Sequence, residues 1–163
     1  MASEERLRLI AEFEGAYSKV DELLKGLGPE ELSFAPSIQD AWSINDFLVH
    51  FLDADLSLCF RLRSAVAEPG RKVPVWDEVA WQDRLRYDAQ DGRACLALAK
   101  SLRSFEGSTL RAIADDDWSG YRVVHEERGE LSLESLLELY SQHILFHLPL
   151  IQRNLEALRA RRA

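Results

Sequence analysis

The chain has 163 residues, 47% hydrophobic and 29% charged, and its 28 acidic against 20 basic residues leave a formal net charge of −8. That length fits one domain, residues 1–163, able to bury roughly 70% of its unfolded surface, and no apolar run approaches the ~20 residues that cross a bilayer. The acidic balance disfavours a phosphate backbone, because non-specific nucleic-acid affinity comes from Lys and Arg neutralising phosphates, so neither nucleic acid nor membrane is an expected partner.

In chain order, the N-terminal "MASEERLRLIAEF" carries acidic residues where a signal peptide would be basic, and a helical pattern where it would be continuously apolar, which predicts a cytoplasmic protein. Leu7, Ile10, Phe13, Tyr17, Val20, Leu24 and Leu27 recur at three and four, predicting a first helix over about residues 3 to 26, stopped by "GLGPEEL". "AWSINDF" marks the next start: Ser43 caps with Asp46 three residues on, and Trp42 and Phe47 occupy staple positions. This second helix runs to about Ala67 on the stripe Ile44, Phe47, Leu48, Phe51, Leu58 and Leu62. "EPGRKVPVW" is then the longest non-helical connection.

A short helix near Asp77 to Ala89 leads into a long one from about Gly92 to Ala114, with Cys95, Leu98, Leu102, Phe105, Thr109 and Ile113 in period. "WSGYRVVHEERGELSL", with Val123 and Val124 side by side, predicts an extended loop or small hairpin. Ser132 caps the last helix, which has Leu131 and Leu136 at staple positions and runs to about Arg159. Arg159 to Arg162 complement the macrodipole at its end. Four long amphipathic helices predict an all-α four-helix bundle. Cys59 and Cys95 stand alone in helical patterns, as small buried hydrophobes of a reducing compartment.

The chemistry concentrates in "YSQHILFHLPLIQ". At 100° per residue, Leu133, Leu137, Tyr140, Ile144, Ile151, Leu155 and Leu158 define the inward face, and His143 and His147 lie just beside its centre. On the second helix His50 falls at the edge of the stripe and reaches an inter-helix seam. A buried neutral imidazole without a partner costs about 1–3 kcal/mol, and one shared ion relieves that cost for all three. Side chains four apart on a helix stand ~5–6 Å apart and can meet on one ion, with a third ligand from a facing helix, leaving positions open for water or substrate.

His-x-x-x-His alone is more often chance, or core and surface histidines, than a metal site. Residue 144 is Ile, so the metalloprotease Glu is absent, and no Glu-x-x-His pair supports a di-iron carboxylate site. There is no Gly-rich phosphate loop, and no Ser, His and acid set stands out.

"WSINDFLVHFLDAD" resembles the segment of the DinB-like (DinB/YfiT) family of metalloenzymes in which a Trp-Ser helix start precedes a histidine two turns on, and "HILFHLPLIQ" resembles that family's closing His-x-x-x-His with a Gln after it. The order of elements matches over essentially the whole chain. The resemblance implies an up-down-down-up bundle, with "EPGRKVPVW" in the long crossover between the two successive parallel helices. It implies His50, His143 and His147 as ligands of a divalent ion, usually nickel or zinc, and a homodimer. Its wider activities include thiol-cofactor S-transferases and isomerases. Ligand type alone suits zinc, nickel, iron or copper.

Other residues carry expectations of their own. Pro149 removes the bond to the Leu145 carbonyl and predicts a kink that could adjust His147 or turn it away. Asp53 could orient an imidazole or accept a proton, although a solvated carboxylate is the favoured reading, and Asp46 is accounted for by its cap. Asp55, in the centre of the apolar stripe, requires a partner, an Arg from another helix or a dimer contact. Tyr140 reads as ordinary core, and a role for His125 as fourth ligand is the disfavoured reading.

Two functional classes follow. One is an enzyme whose metal activates water or a low-molecular-weight thiol against a small-molecule electrophile, with no side chain marked as general base. The other is a non-catalytic binding or stress-response module whose histidines hold a structural ion or none. Three ligands beside a reachable cavity favour the enzyme, whereas four protein ligands or a dry core favour the module.

Overall fold

The computed structural model describes residues 2–162. Its long helices are α1 (Ser3–Gly15) continued by α2 (Ser18–Leu23), α4 (Ile44–Ala67), α6 (Gly92–Ala112) and α7 (Leu133–Arg162). A one-turn helix α3 (Pro29–Leu32), a short α5 (Glu78–Arg84) and strands β1 (Arg71–Val73), β2 (Arg122–His125) and β3 (Gly129–Ser132) connect them. No helix among the described residues is long and apolar enough to cross a membrane.

Helix directions follow from side-chain pairs. Along α4 and α6, Asn45 meets Gly92, Asp55 meets Arg103, and Arg63 meets Glu106, so these two helices are parallel. Against α7 the order reverses, from Asn154 with the Trp42 carbonyl through His143 with His50 to Tyr140 with Arg61. The first helix runs against α6, with Arg6 on the Ala114 carbonyl and Asp21 on Lys100. The bundle is therefore up-down-down-up, and α4 and α1 each pack on both α6 and α7. The expected crossover lies between α4 and α6. It contains a strand that the local sequence does not announce, because β1 is only three residues long and its register is set by β2, some fifty positions away.

β1 pairs in parallel with β2, and β2 pairs with β3 in an antiparallel hairpin, the second of the two forms expected for this stretch. Alternation turns Val123 and His125 inward, both buried. The start of α4 matches the local signals in full. The Ser43 side chain accepts from the Asp46 N–H at 3.1 Å, Asp46 Oδ2 accepts from the Ser43 N–H at 2.9 Å, and the Trp42 and Phe47 rings meet at 5.6 Å. Ser132 Oγ accepts from the Ser135 N–H at 3.1 Å to cap α7.

Two expectations are corrected. The first helix is interrupted at Ala16 and Tyr17, just past Gly15, where the Ala16 N–H turns to the Phe13 carbonyl; Leu7 is 42% exposed, while Leu9 and Arg6 are buried. In α6 the inward face is Leu96, Ala99, Arg103, Glu106 and Leu110, whereas Leu98 and Phe105 are 50% and 58% exposed. Periodicity misplaces this stripe because the inward face carries charged side chains that hydropathy assigns to solvent.

Those charges organise the centre of the molecule. Arg103 grips both oxygens of Asp55 at 2.8 Å, and the Tyr17 hydroxyl donates to Asp55 at 2.8 Å. Arg103 also donates to the carbonyls of Phe13 and Tyr140, both at 3.1 Å, so one side-chain pair ties α1, α4, α6 and α7. Of the two partners expected for Asp55, an arginine from another helix or a dimer contact, the structure supplies the arginine, Arg103. It lies between two apolar clusters, one around Leu58, Leu62, Trp118 and Leu133, the other around Ile44, Phe51, Ile144 and Ile151.

Candidate metal centre

The N-terminal third of α4 and the middle of α7 face each other, and their three histidines converge. His143 Nε2 is 2.9 Å from His50 Nε2 and 3.0 Å from His147 Nε2, and all three ligand nitrogens lie within 4.8 Å of one another. Bonds of ~2.0–2.1 Å to a common ion require donor atoms about this close. His50 is fully buried, His147 nearly so, and His143 half-buried. α7 passes Pro149 as continuous helix, and His147 stays in the cluster, so the proline does not turn it away.

The electrostatics suit neutral imidazoles. Burial, then the neighbouring His143 and His147, push His50 from its ordinary value down to about 2. Burial lowers His143 to about 3, helped by His147 and Arg103, and lowers His147 to about 4. All three Nδ1 atoms are buried without a hydrogen-bond partner, as is Asp46 Oδ1. Three imidazoles whose Nε2 atoms point at one spot and have only one another as partners form a donor set that one divalent ion fits, while their Nδ1 atoms face away from it.

The ring walls are aromatic. Trp42 and Trp76 flank His50 with centroids at 5.2 and 5.4 Å, and Phe47 and Phe51 flank His147 at 5.3 and 5.7 Å. Cavities open on two sides. One, of about 330 Å³, is lined by His143, Tyr140, Arg61, His125, Trp76 and Glu78 among others. The second, of about 720 Å³, is lined by His147, Trp42, Phe47, Phe146 and again Glu78.

Glu78 is the functional candidate that sequence reasoning misses. Its Oε2 lies 3.9 Å from His50 Nε2. It opens α5, whose start is fixed by Asp77 accepting from the Val79 and Ala80 N–H groups at 3.1 and 3.0 Å. In the sequence it is one glutamate in a helix's first turn, and only the crossover brings it over α4.

The remaining candidates separate cleanly. His125 lines the smaller cavity but stands outside the three-histidine group, and its Nδ1 accepts from the Glu127 and Arg128 N–H groups. Asp53 is buried rather than solvated, because Tyr87 folds back onto α4 and donates to it; the Tyr87 backbone is itself held by Asn45. Asp46 caps α4 as expected. Tyr140 is both core and cavity wall.

A family model described as the DinB superfamily matches residues 12–151. A protein of Oceanobacillus iheyensis, provisionally named a metal-dependent hydrolase, is 26% identical over 149 residues, 84% of this chain and 79% of that one. A Geobacillus kaustophilus protein of the same provisional name is 27% identical over 147 residues, 85% and 77% of the two chains. Among solved structures, YfiT of Bacillus subtilis, described as a probable metal-dependent hydrolase with an unusual four-helix bundle topology, superposes with a TM-score of 0.83 at 20% identity, over 97% of this chain and 90% of that one. A mycothiol-dependent maleylpyruvate isomerase shares the fold with a TM-score of 0.57 at 16% identity, over 95% and 68%.

Proposed function

This chain belongs to the DinB superfamily, and on that footing we propose that it is a metal-dependent hydrolase of small molecules whose ion is held by His50, His143 and His147. The observation that carries the reading is the convergence of three histidine Nε2 atoms on one spot beside two cavities. The provisional names of the curated relatives support it.

Three protein ligands leave room for a water or substrate atom. A divalent ion in such a site supplies Lewis acidity, which makes a water or thiol acidic enough to lose its proton near neutral pH. The chain's own residues do the rest. The Glu78 carboxylate, 3.9 Å from His50 Nε2 and more than half exposed, stands where it can take that proton and pass it to solvent. Trp42, Trp76, Phe47 and Phe51 pack around the imidazoles and keep bulk water from them. The fold shared with the mycothiol-dependent isomerase keeps one second reading in view, in which a low-molecular-weight thiol replaces water as nucleophile.

One assay tests both. A panel of esters, amides and lactones is turned over by zinc- or nickel-loaded protein, with and without an added thiol. We expect turnover that needs the ion but not the thiol, and a fall of about 10²–10⁴-fold in kcat for Glu78→Gln. Turnover only with thiol selects the transferase reading. Turnover indifferent to the ion contradicts a metal-dependent reaction, and turnover indifferent to Glu78→Gln contradicts Glu78 as the proton acceptor.

A further inference from the structure

Arg61 is 5% exposed and lines the smaller cavity beside His143. It donates to neutral oxygens, one guanidinium nitrogen to the Tyr140 hydroxyl and the other to the Pro74 carbonyl at 2.8 Å. Among the described residues no carboxylate lies within ion-pair distance of it. A buried guanidinium without a counter-charge is costly and is ordinarily paired.

The two other buried arginines show how this chain meets that cost. Arg103 is paired with Asp55. Arg6 lies over the Trp118 ring at 5.0 Å and donates to the Ala114 and Asp116 carbonyls just past the end of α6, where the helix dipole is negative. Arg61 has neither solution, and of the three it is the one that lines a cavity. The same wall carries His125 and Arg128, set against Glu78 and Glu127. Tyr140 links the two parts of the site: its hydroxyl takes the Arg61 bond, and its ring centroid is 6.2 Å from that of His143.

We propose that the cavity beside His143 takes a small molecule carrying a carboxylate, and that Arg61 is its binding residue. The planar guanidinium fork matches a carboxylate in geometry as well as in charge. A substrate anchored there through its carboxylate presents the rest of its skeleton to the three histidines. This deepens the hydrolase reading by naming the substrate class, and rests on it for the role of the histidines alone.

Binding is measured on the metal-free full chain by calorimetry and by tryptophan fluorescence, since Trp76 lines the cavity. The probes are benzoate, its neutral isostere benzamide, and inorganic phosphate. The expected result is saturable benzoate binding at least tenfold tighter than benzamide, with the difference abolished in Arg61→Gln and reduced several-fold in Arg61→Lys. If Arg61→Gln fails to fold, the benzoate and benzamide comparison on the wild type, together with Arg61→Lys, still decides. Equal binding of the two probes, absence of saturable benzoate binding, or phosphate binding tighter than benzoate overturns the carboxylate assignment. Repeating the titration with zinc separates the two claims. Benzoate binding that needs zinc and ignores Arg61 overturns this proposal and leaves the metal centre standing. Arg61-dependent binding in a protein that takes up no zinc does the reverse.

Discussion

Replacing Asp55 by Ala is expected to destabilise the fold by about 3–5 kcal/mol, the cost of leaving a buried charge without its partner. Arg103 is 1% exposed, and its hydrogen bonds that do not go to Asp55 end on the carbonyls of Phe13 and Tyr140, so the vacated guanidinium has no route to water. The Tyr17 hydroxyl loses its 2.8 Å acceptor in the same step and keeps only the Phe51 carbonyl at 3.4 Å. Because the pair touches all four long helices, the loss should appear as a lower denaturation midpoint for the whole transition. The double variant Asp55→Leu with Arg103→Met removes both charges and should recover much of the loss, since a buried ion pair exchanged for apolar side chains of similar volume is often near neutral. A fall of under about 1 kcal/mol for Asp55→Ala would mean that Arg103 is not committed to this carboxylate.

The metal-free protein should lose stability steeply in acid. The folded values of His50, His143 and His147, about 2, 3 and 4, lie below the ordinary histidine value of ~6.5. Above pH ~6.5 both the folded and the unfolded chain hold these rings neutral, and the fold keeps its full stability. As pH falls from there toward 4, the unfolded chain takes up protons that the fold refuses. Stability then falls by about 1.4 kcal/mol per pH unit for each histidine, and by about 4 for the three together. Urea midpoints between pH 7 and 5 measure the slope, and a variant with all three replaced by Leu should be much flatter. An equal slope in that variant would place the acid sensitivity elsewhere. In the loaded protein the same competition should release the ion as pH falls, because protons and ion contend for the same Nε2 atoms.

What the sequence could reveal was decided by range. The cap of α4 depends on Ser43, Asp46, Trp42 and Phe47, neighbours in the chain, and is legible to the residue. The pairing of His143 with His147 is one helical turn of spacing. His50 falls on an inward-facing edge of its own helix, and the family resemblance supplies it as the third member. The need of Asp55 for a partner is legible, but its identity is not, because Arg103 sits on a face of α6 that hydropathy passes over for Leu98 and Phe105. Glu78, Arg61 and β1 are hidden for a common reason. Each acquires its meaning from the crossover between two parallel helices, which brings Glu78 against His50 and the Pro74 carbonyl against Arg61. Periodicity within a helix contains none of that.

Whether three imidazoles share one ion is decided by elemental analysis of the untagged protein, with His50→Ala alongside. We expect close to one divalent ion per chain in the wild type and its loss in the variant. Absence of metal after soaking the wild type with zinc and nickel, or equal metal content in the variant, would contradict a shared ion at His50, His143 and His147.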